Sequence, residues 1–148
     1  MKTDLDVRSR EREHSVTGGS DATLGFYERQ AQAYFDRTVH ADMSHLYAPF
    51  LSKLPRGGRI LDVGCGSGRD VLAFAARGYD VLGVDASAAL VALATKHSGV
   101  ACEVADVREL SFSQEFDGIW ACASLLHLAK AELPLALRRL CAALRPSG

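Results

Sequence analysis

Three glycines at alternate positions, Gly64, Gly66 and Gly68, follow a branched apolar run in the stretch ILDVGCGSGRD, Ile60 to Asp70. A strand ending in such a loop lets its main chain turn tightly and approach a ligand, because no Cβ stands in the way. The helix expected next presents unpaired N–H groups and a positive dipole end, which favour a negative group nearby. Spacing separates the ligand classes that use such a loop. A P-loop requires G-x-x-x-x-G-K-[ST], and no lysine follows these glycines. The dinucleotide fingerprint is G-x-G-x-x-G, whereas here the third glycine comes one residue early. Asp85 lies 21 residues after Gly64, at the end of DVLGVD. An acid there can accept hydrogen bonds from both hydroxyls of a ribose, in NAD or in an adenosyl ligand alike. Asp106, in VADV, is placed to meet the amino group of an adenine. Both acids are also ordinary turn or cap residues at strand ends. His127, in LLHL, is the one histidine expected near this region; it is either a catalytic candidate or a ring bonded to a nearby carbonyl. His14, His40, His45 and His97 show no metal spacing, and the four cysteines form no C-x-x-C pair, so no metal is expected.

The elements that must position these residues follow from hydrophobic period. Residues 1–22 mix both charges with Gly and Ser and read as a disordered arm. Helical spacing runs from Phe26 to Arg37 and from Met43 to Leu54, with PRGG at Pro55–Gly58 ending the second helix. Strand and helix then alternate: RILDVG, RDVLAFAARG, DVLGVD, SAALVALATKH with Ser87 as N-cap, VACEVAD and FDGIWACAS. A last helix in KAELPLALRRLCAALR carries Leu133, Leu137, Leu140 and Leu144 on one face, with Pro134 acceptable in its first turn. Such repeats mean parallel βαβ units in an α/β domain over residues 23–148, with helices at its N-terminus and a sheet covered on both faces. Ligands of doubly wound sheets sit beyond the carboxyl ends of the strands, where the glycine loop lies.

Bulk composition excludes several function classes. A net charge of -1 over 148 residues leaves no electrostatic footprint for nucleic acid or anionic lipid. No apolar run approaches the ~20 residues that span a bilayer. The N-terminus lacks a signal-peptide core. Scattered cysteines in apolar segments fit a reducing compartment, so a cytoplasmic protein is expected.

The motifs LDVGCGSGRD, GVDAS, VADV and FDGIWACASLLHL resemble, in order and spacing, those of class I S-adenosylmethionine (SAM)-dependent methyltransferases. The resemblance runs from about Tyr34 to Gly148. Within that superfamily the chain is most similar to small bacterial enzymes of the tellurite-resistance and ubiquinone-biosynthesis-like type. It implies a Rossmann-like three-layer sandwich with sheet order 3-2-1-4. It also implies that Asp62, Gly64, Gly66 and Gly68 surround the methionyl part of the cofactor. Asp85 would bind the ribose hydroxyls with Ala86 beside the adenine, and Asp106 and Val107 would bind the adenine edge and face. Ala121 to Ser124, Ala123 among them, would lie near the methionine amine and the methyl. Tyr34 and Arg37 resemble the segment that folds over the cofactor; Tyr34 equally fits a half-buried helix aromatic.

A sulfonium methyl is activated for displacement, so such a protein mainly aligns nucleophile, carbon and sulfur. A hydroxyl or protonated amine acceptor would need a base, for which His127 is the candidate; a thiolate would need none. No [DN]-P-P-[YF] motif stands in ACASLLHL, and a small-molecule acceptor is expected. Relatives continue after L-[KR]-P-G-G with a fifth strand and a hairpin, whereas this chain reads LRPSG. The expected sheet therefore stops before strand 5 and leaves the fourth strand as an exposed edge, open to a second copy or a partner chain. Two alternatives accompany the methyltransferase reading: a non-catalytic SAM-binding or interaction module, and an NAD-dependent oxidoreductase.

Overall fold

A computed structural model of the chain describes residues 18–148. Its strands β1 (Arg59–Val63), β2 (Asp80–Asp85), β3 (Cys102–Val104) and β4 (Gly118–Trp120) form one parallel sheet in the order β3-β2-β1-β4. Asp62 stands opposite Gly83 on one side and Trp120 on the other, and Gly83 pairs in turn with Cys102. Helices α1 (Gly18–Thr38), α2 (Ser44–Leu51), α3 (Arg69–Ala75), α4 (Ala88–Ser98) and α5 (Leu133–Ala143) complete the α/β sandwich expected from the alternating periods.

Successive residues of a strand face opposite sides of a sheet, and β1 shows the consequence. Ile60 joins a core with Val81 of β2 and with Tyr47, Val71, Phe74 and Ala94 of the α2, α3 and α4 layer. Leu61 and Val63 join Val84, Phe116, Leu140 and Ala143 on the α5 side. Both faces are covered, so β1 reads as one continuous apolar run with a single acid inside it. Helix α4 starts where Ser87 Oγ accepts the Leu90 N–H at 3.2 Å, the cap expected from sequence.

Three local expectations change. Helix α1 begins at Gly18, inside the stretch read as an arm; residues 1–17 lie outside the described residues. Its Phe26 is 47% exposed, because the neighbouring Tyr27 takes the inward position. Helix α5 buries Ala136, Leu140 and Ala143, leaving Leu133 and Leu137 exposed. The alanines recur at helical spacing too, and their small side chains let the helix lie close to the sheet, with leucines flanking the contact. Finally, the segment entering β4 is engaged on its outer side. Leu144 makes a parallel bridge with Phe116, and the Arg145 N–H donates to Phe116 O at 2.8 Å. The exposed fourth-strand edge is therefore partly occupied, by the chain that leaves α5. No helix among the described residues is long and apolar enough to cross a membrane.

Candidate functional site

A cleft with about 920 Å3 of unfilled space, partly open to solvent, lies beyond the carboxyl ends of β1, β2 and β4. Its floor is the glycine loop, its walls are the turns after β2, β3 and β4, and its roof is α1 from Asp21 to Tyr34. Strand polarity fixes this placement, since every parallel strand delivers its following loop to the same end of the sheet.

Two glycines of the loop have different reasons to lack a side chain. Gly64, at φ 70°, would drive a Cβ to within 2.3 Å of Ser124 Cβ in the loop after β4. Its absence lets the two loops meet at the cleft floor. Gly68, at φ 77°, opens α3 and would place a Cβ 2.8 Å from Ala94 Cα in α4. That glycine serves the packing of two helices and does not line the cleft. Gly66 lies between them on the cleft floor, under the ring of Tyr34.

Asp85 is tied into this loop. Its Oδ2 accepts the Gly66 N–H at 3.0 Å and its Oδ1 accepts the Ser87 N–H at 2.9 Å. Burial pushes its carboxyl above the usual range, while those two N–H donors and the proximity of His127 oppose that shift. A carboxylate offers about four acceptor directions. Two are used here, so the carboxylate can still take two donors from the cleft. Asp106 also lines the cleft, but its acceptor capacity is spent on Arg108. The main-chain N–H and Nε of Arg108 reach Oδ1 at 2.8 and 2.9 Å, and Nε and Nη2 reach Oδ2. This clamp holds the Asp106 carboxyl below its usual range. Arg108 Nη1 continues to Glu132 Oε1 at 2.6 Å, joining the turn after β3 to the start of α5.

Asp62 lies beneath the loop and does not line the cleft. It is 2% exposed, and its Oδ2 receives no hydrogen bond. Burial first, then the nearby negative Asp70, raises its carboxyl well above the ordinary range. Ser124 Oγ, at the cleft floor, is likewise buried without a partner. Ala123 beside it holds φ 58°, an uncommon conformation for a residue with a side chain.

The roof comes from α1. Tyr27 and Tyr34 pack edge to face at 5.0 Å, two helical turns of one stripe, and both line the cleft. The Tyr27 hydroxyl meets His127 Nε2 at 3.0 Å, which joins the roof to the far wall. Burial, then the Asp85 charge, raises the Tyr27 hydroxyl above its usual range.

Of the residues singled out from sequence, Tyr34, Gly64, Gly66, Asp85, Ala86, Asp106, Val107, Ala123 and His127 come together around the cleft. Arg37, Asp62, Gly68 and Ala121 do not line it. Arg37 ends up exposed in the last turn of α1. Ala121 packs into the α5-side core. Sequence reasoning missed Leu24, Tyr27 and Arg108, which line the cleft. The first two were legible as a helical stripe ending at Tyr34. Among the described residues, no group of three His, Cys, Asp or Glu side chains is placed to hold a metal ion.

Residues 60–148 match a family described as a methyltransferase domain. The chain is 36% identical over 97 residues to a ubiquinone biosynthesis O-methyltransferase of Nitrobacter winogradskyi, covering 62% of this chain and 36% of that one. A solved TehB-like SAM-dependent methyltransferase from Corynebacterium glutamicum superposes with TM-score 0.65 at 27% identity, covering 87% of this chain and 68% of that one. The 1,6-didemethyltoxoflavin-N1-methyltransferase of Burkholderia thailandensis, solved with S-adenosylhomocysteine, gives 0.69 at 26% identity, covering 91% and 63%. The chain spans about a third to a half of the length of the curated relatives it matches. The matched segment carries the glycine loop, Asp85, Asp106 and His127, and with it this chain belongs to the methyltransferase-domain family.

Proposed function

We propose that the cleft binds S-adenosylmethionine and that the protein transfers its methyl group to a small-molecule acceptor. One observation carries this reading: the Asp85 carboxylate is fixed by the loop N–H of Gly66 and the N–H of Ser87, yet keeps two acceptor directions for a ligand in the cleft. That arrangement suits the two hydroxyls of a ribose. The cofactor also fits the apolar lining near Val107 and Leu90, and the unpaired Ser124 Oγ on the floor. The Burkholderia relative, solved with S-adenosylhomocysteine, the demethylated product of SAM, supports the same cofactor class.

In this reading Asp85 holds the ribose, Ala86 and Val107 flank the adenine, and Gly64 and Ser124 border the amino-acid end. Asp106 contributes through the Arg108 clamp that shapes its turn, since its own acceptors are engaged. When bound, SAM supplies a methyl on a positively charged sulfur, activated for in-line displacement. The roof formed by Tyr27 and Tyr34 narrows water access. In this reading His127, its Nε2 engaged by the Tyr27 hydroxyl, takes a proton from a hydroxyl or amine acceptor at its other ring nitrogen.

Calorimetric titration of the purified chain tests this, with SAM and NAD as ligands and Asp85→Ala as the variant. The expected outcome is saturable SAM binding, no NAD binding, and a loss of affinity of about a hundredfold in Asp85→Ala, the scale for removing a charged hydrogen-bond partner. A folded wild-type chain that ignored SAM would overturn the proposal.

A further inference from the structure

Cys65 sits inside the glycine loop, between Gly64 and Gly66, and Cys102 opens β3. They are 37 positions apart in sequence, yet they meet over Gly83 in β2. A Cβ built on Gly83 would lie 2.9 Å from Cys102 Sγ and 3.2 Å from Cys65 Cβ. The missing side chain at Gly83 therefore makes the space in which the two cysteines approach each other. Both belong to the α3/α4-side core, and neither lines the cleft.

Their environments differ in a way that suits thiol chemistry. Cys102 is half-exposed and Cys65 is buried. The Cys102 Sγ lies 3.6 Å from Val100 O. The neighbouring Cys65 thiol first, then the polar groups of Thr95, Ser98 and Gly83 around it, lower the Cys102 thiol to about 7 against the opposing effect of burial. Cys65 moves the opposite way, raised by the same contact and by its burial. A part-buried thiol with a lowered pKa, sharing the space over Gly83 with a second thiol, is the pattern of a redox pair.

We infer that Cys65 and Cys102 form a reversible disulfide whose closure reshapes the glycine loop. A hydroperoxide supplies the oxidising equivalents. The Cys102 thiolate attacks the hydroxyl oxygen of the peroxide, the O–O bond breaks, and Cys102 becomes a sulfenic acid. The other oxygen leaves as hydroxide or alkoxide, which takes from solvent the proton that Cys102 released on ionising. The Cys65 sulfur then attacks the Cys102 sulfur. The S–S bond forms, the S–OH bond breaks, and the hydroxide leaves with the Cys65 proton as water. Disulfide geometry is narrow, and partners that begin apart are bridged by backbone movement. Drawing Cys65 across Gly83 acts on its neighbours Gly64 and Gly66, and through the Gly66 N–H on Asp85. The effect on ligand binding rests on the SAM reading above; the disulfide itself does not.

Hydrogen peroxide treatment of the reduced, full 148-residue chain, followed by non-reducing peptide mapping, tests the bond directly. The expected result is a linked Cys65–Cys102 peptide that disappears on reduction, with Cys122 and Cys141 mapped in parallel as internal controls. Amide exchange at residues 64–68 is expected to change on oxidation and to recover on reduction. SAM affinity is expected to fall by about tenfold, reversibly. Cys102→Ser should keep its affinity under peroxide; should that variant misfold, the wild-type map and exchange data decide alone. Cys65 and Cys102 recovered unlinked, or linked with unchanged exchange at the loop, would overturn the inference. Failure of the reduced chain to bind SAM would instead overturn the function proposed above and leave the mapping readout intact.

Discussion

Asp62 and Asp70 are eight residues apart, one inside β1 and the other in the first turn of α3, and both are at least 95% buried. Their surroundings could hardly differ more. Asp70 is saturated: Tyr47 Oη donates to Oδ1 at 2.5 Å, Trp120 Nε1 to Oδ2 at 2.9 Å, and Arg69 grips both oxygens at 2.7 and 2.9 Å. Asp62 has a buried oxygen with no donor at all. The saturated carboxylate ties α2, α3 and β4 together behind the glycine loop. The unsaturated one sits directly under that loop. A buried polar group left unpaired is costly, and this fold keeps one beneath the floor of the cleft.

The largest stability effect belongs to Asp70. Removing it strands the Arg69 guanidinium, the Tyr47 hydroxyl and the Trp120 N–H together. Asp70→Ala is expected to lose about 3–5 kcal/mol, the scale for breaking a buried charge pair, read by chemical denaturation. The two acids should also give opposite pH behaviour. Burial raises the Asp70 carboxyl, but the hydrogen bonds of Arg69, Tyr47 and Trp120 outweigh it, and the net shift is downward. Its stabilisation is therefore complete above the ordinary aspartate range and is lost as pH falls through the lowered folded value. Asp62 is shifted upward, so its folded state binds the proton more tightly than the unfolded chain. Stability from that group is present below the ordinary aspartate range and is lost as pH rises toward the raised folded value. Asp62→Asn should remove that decline. At neutral pH it is expected to be as stable as the wild type or more so, by about 1–2 kcal/mol. A destabilised Asp62→Asn with the wild-type pH slope would break the comparison and mark Asp62 as a second structural anchor.

This contrast also shows what could be read from sequence. The glycine loop and the strand-end acids were legible, because a buried parallel strand leaves a continuous apolar run and parallel topology then fixes which loops share an end; the 3-2-1-4 order came from the family resemblance. The resemblance set Asp62 around the methionyl part of the cofactor, whereas the structure puts it beneath the cleft floor, since the period of a strand assigns a face and not a depth. Gly68 reads in sequence like Gly64, yet it answers to Ala94 in a helix that begins 20 residues later. The Arg108 clamp on Asp106 was also hidden. Two residues apart, an acid and a base in a turn carry no sign of whether they will pair with each other or face a ligand. Helix α5 was misjudged for a related reason. Leucine and alanine stripes occupied different faces, and close approach to the sheet selected the smaller one.

The roof of the cleft supplies the smallest effect and the finest test. Tyr27 reaches His127 through its hydroxyl and its ring and Tyr34 through its ring alone, so the hydroxyl's contribution can be separated from packing. Tyr27→Phe keeps the edge-to-face contact at 5.0 Å and removes the 3.0 Å hydrogen bond. A single solvent-accessible hydrogen bond is worth below about 1 kcal/mol, so SAM affinity is expected to fall about two- to fivefold, with little change in the unfolding midpoint. Methyl transfer to a hydroxyl acceptor should fall further than binding does, because His127 loses the group that orients it. Equal losses in binding and turnover would mean that Tyr27 acts only as a roof. An unchanged affinity in Tyr27→Phe, with a loss in Tyr27→Ala, would assign the closure of the cleft to ring packing and leave His127 held by the edge-to-face contact at 5.5 Å and by the single 3-10 turn at Leu125–His127.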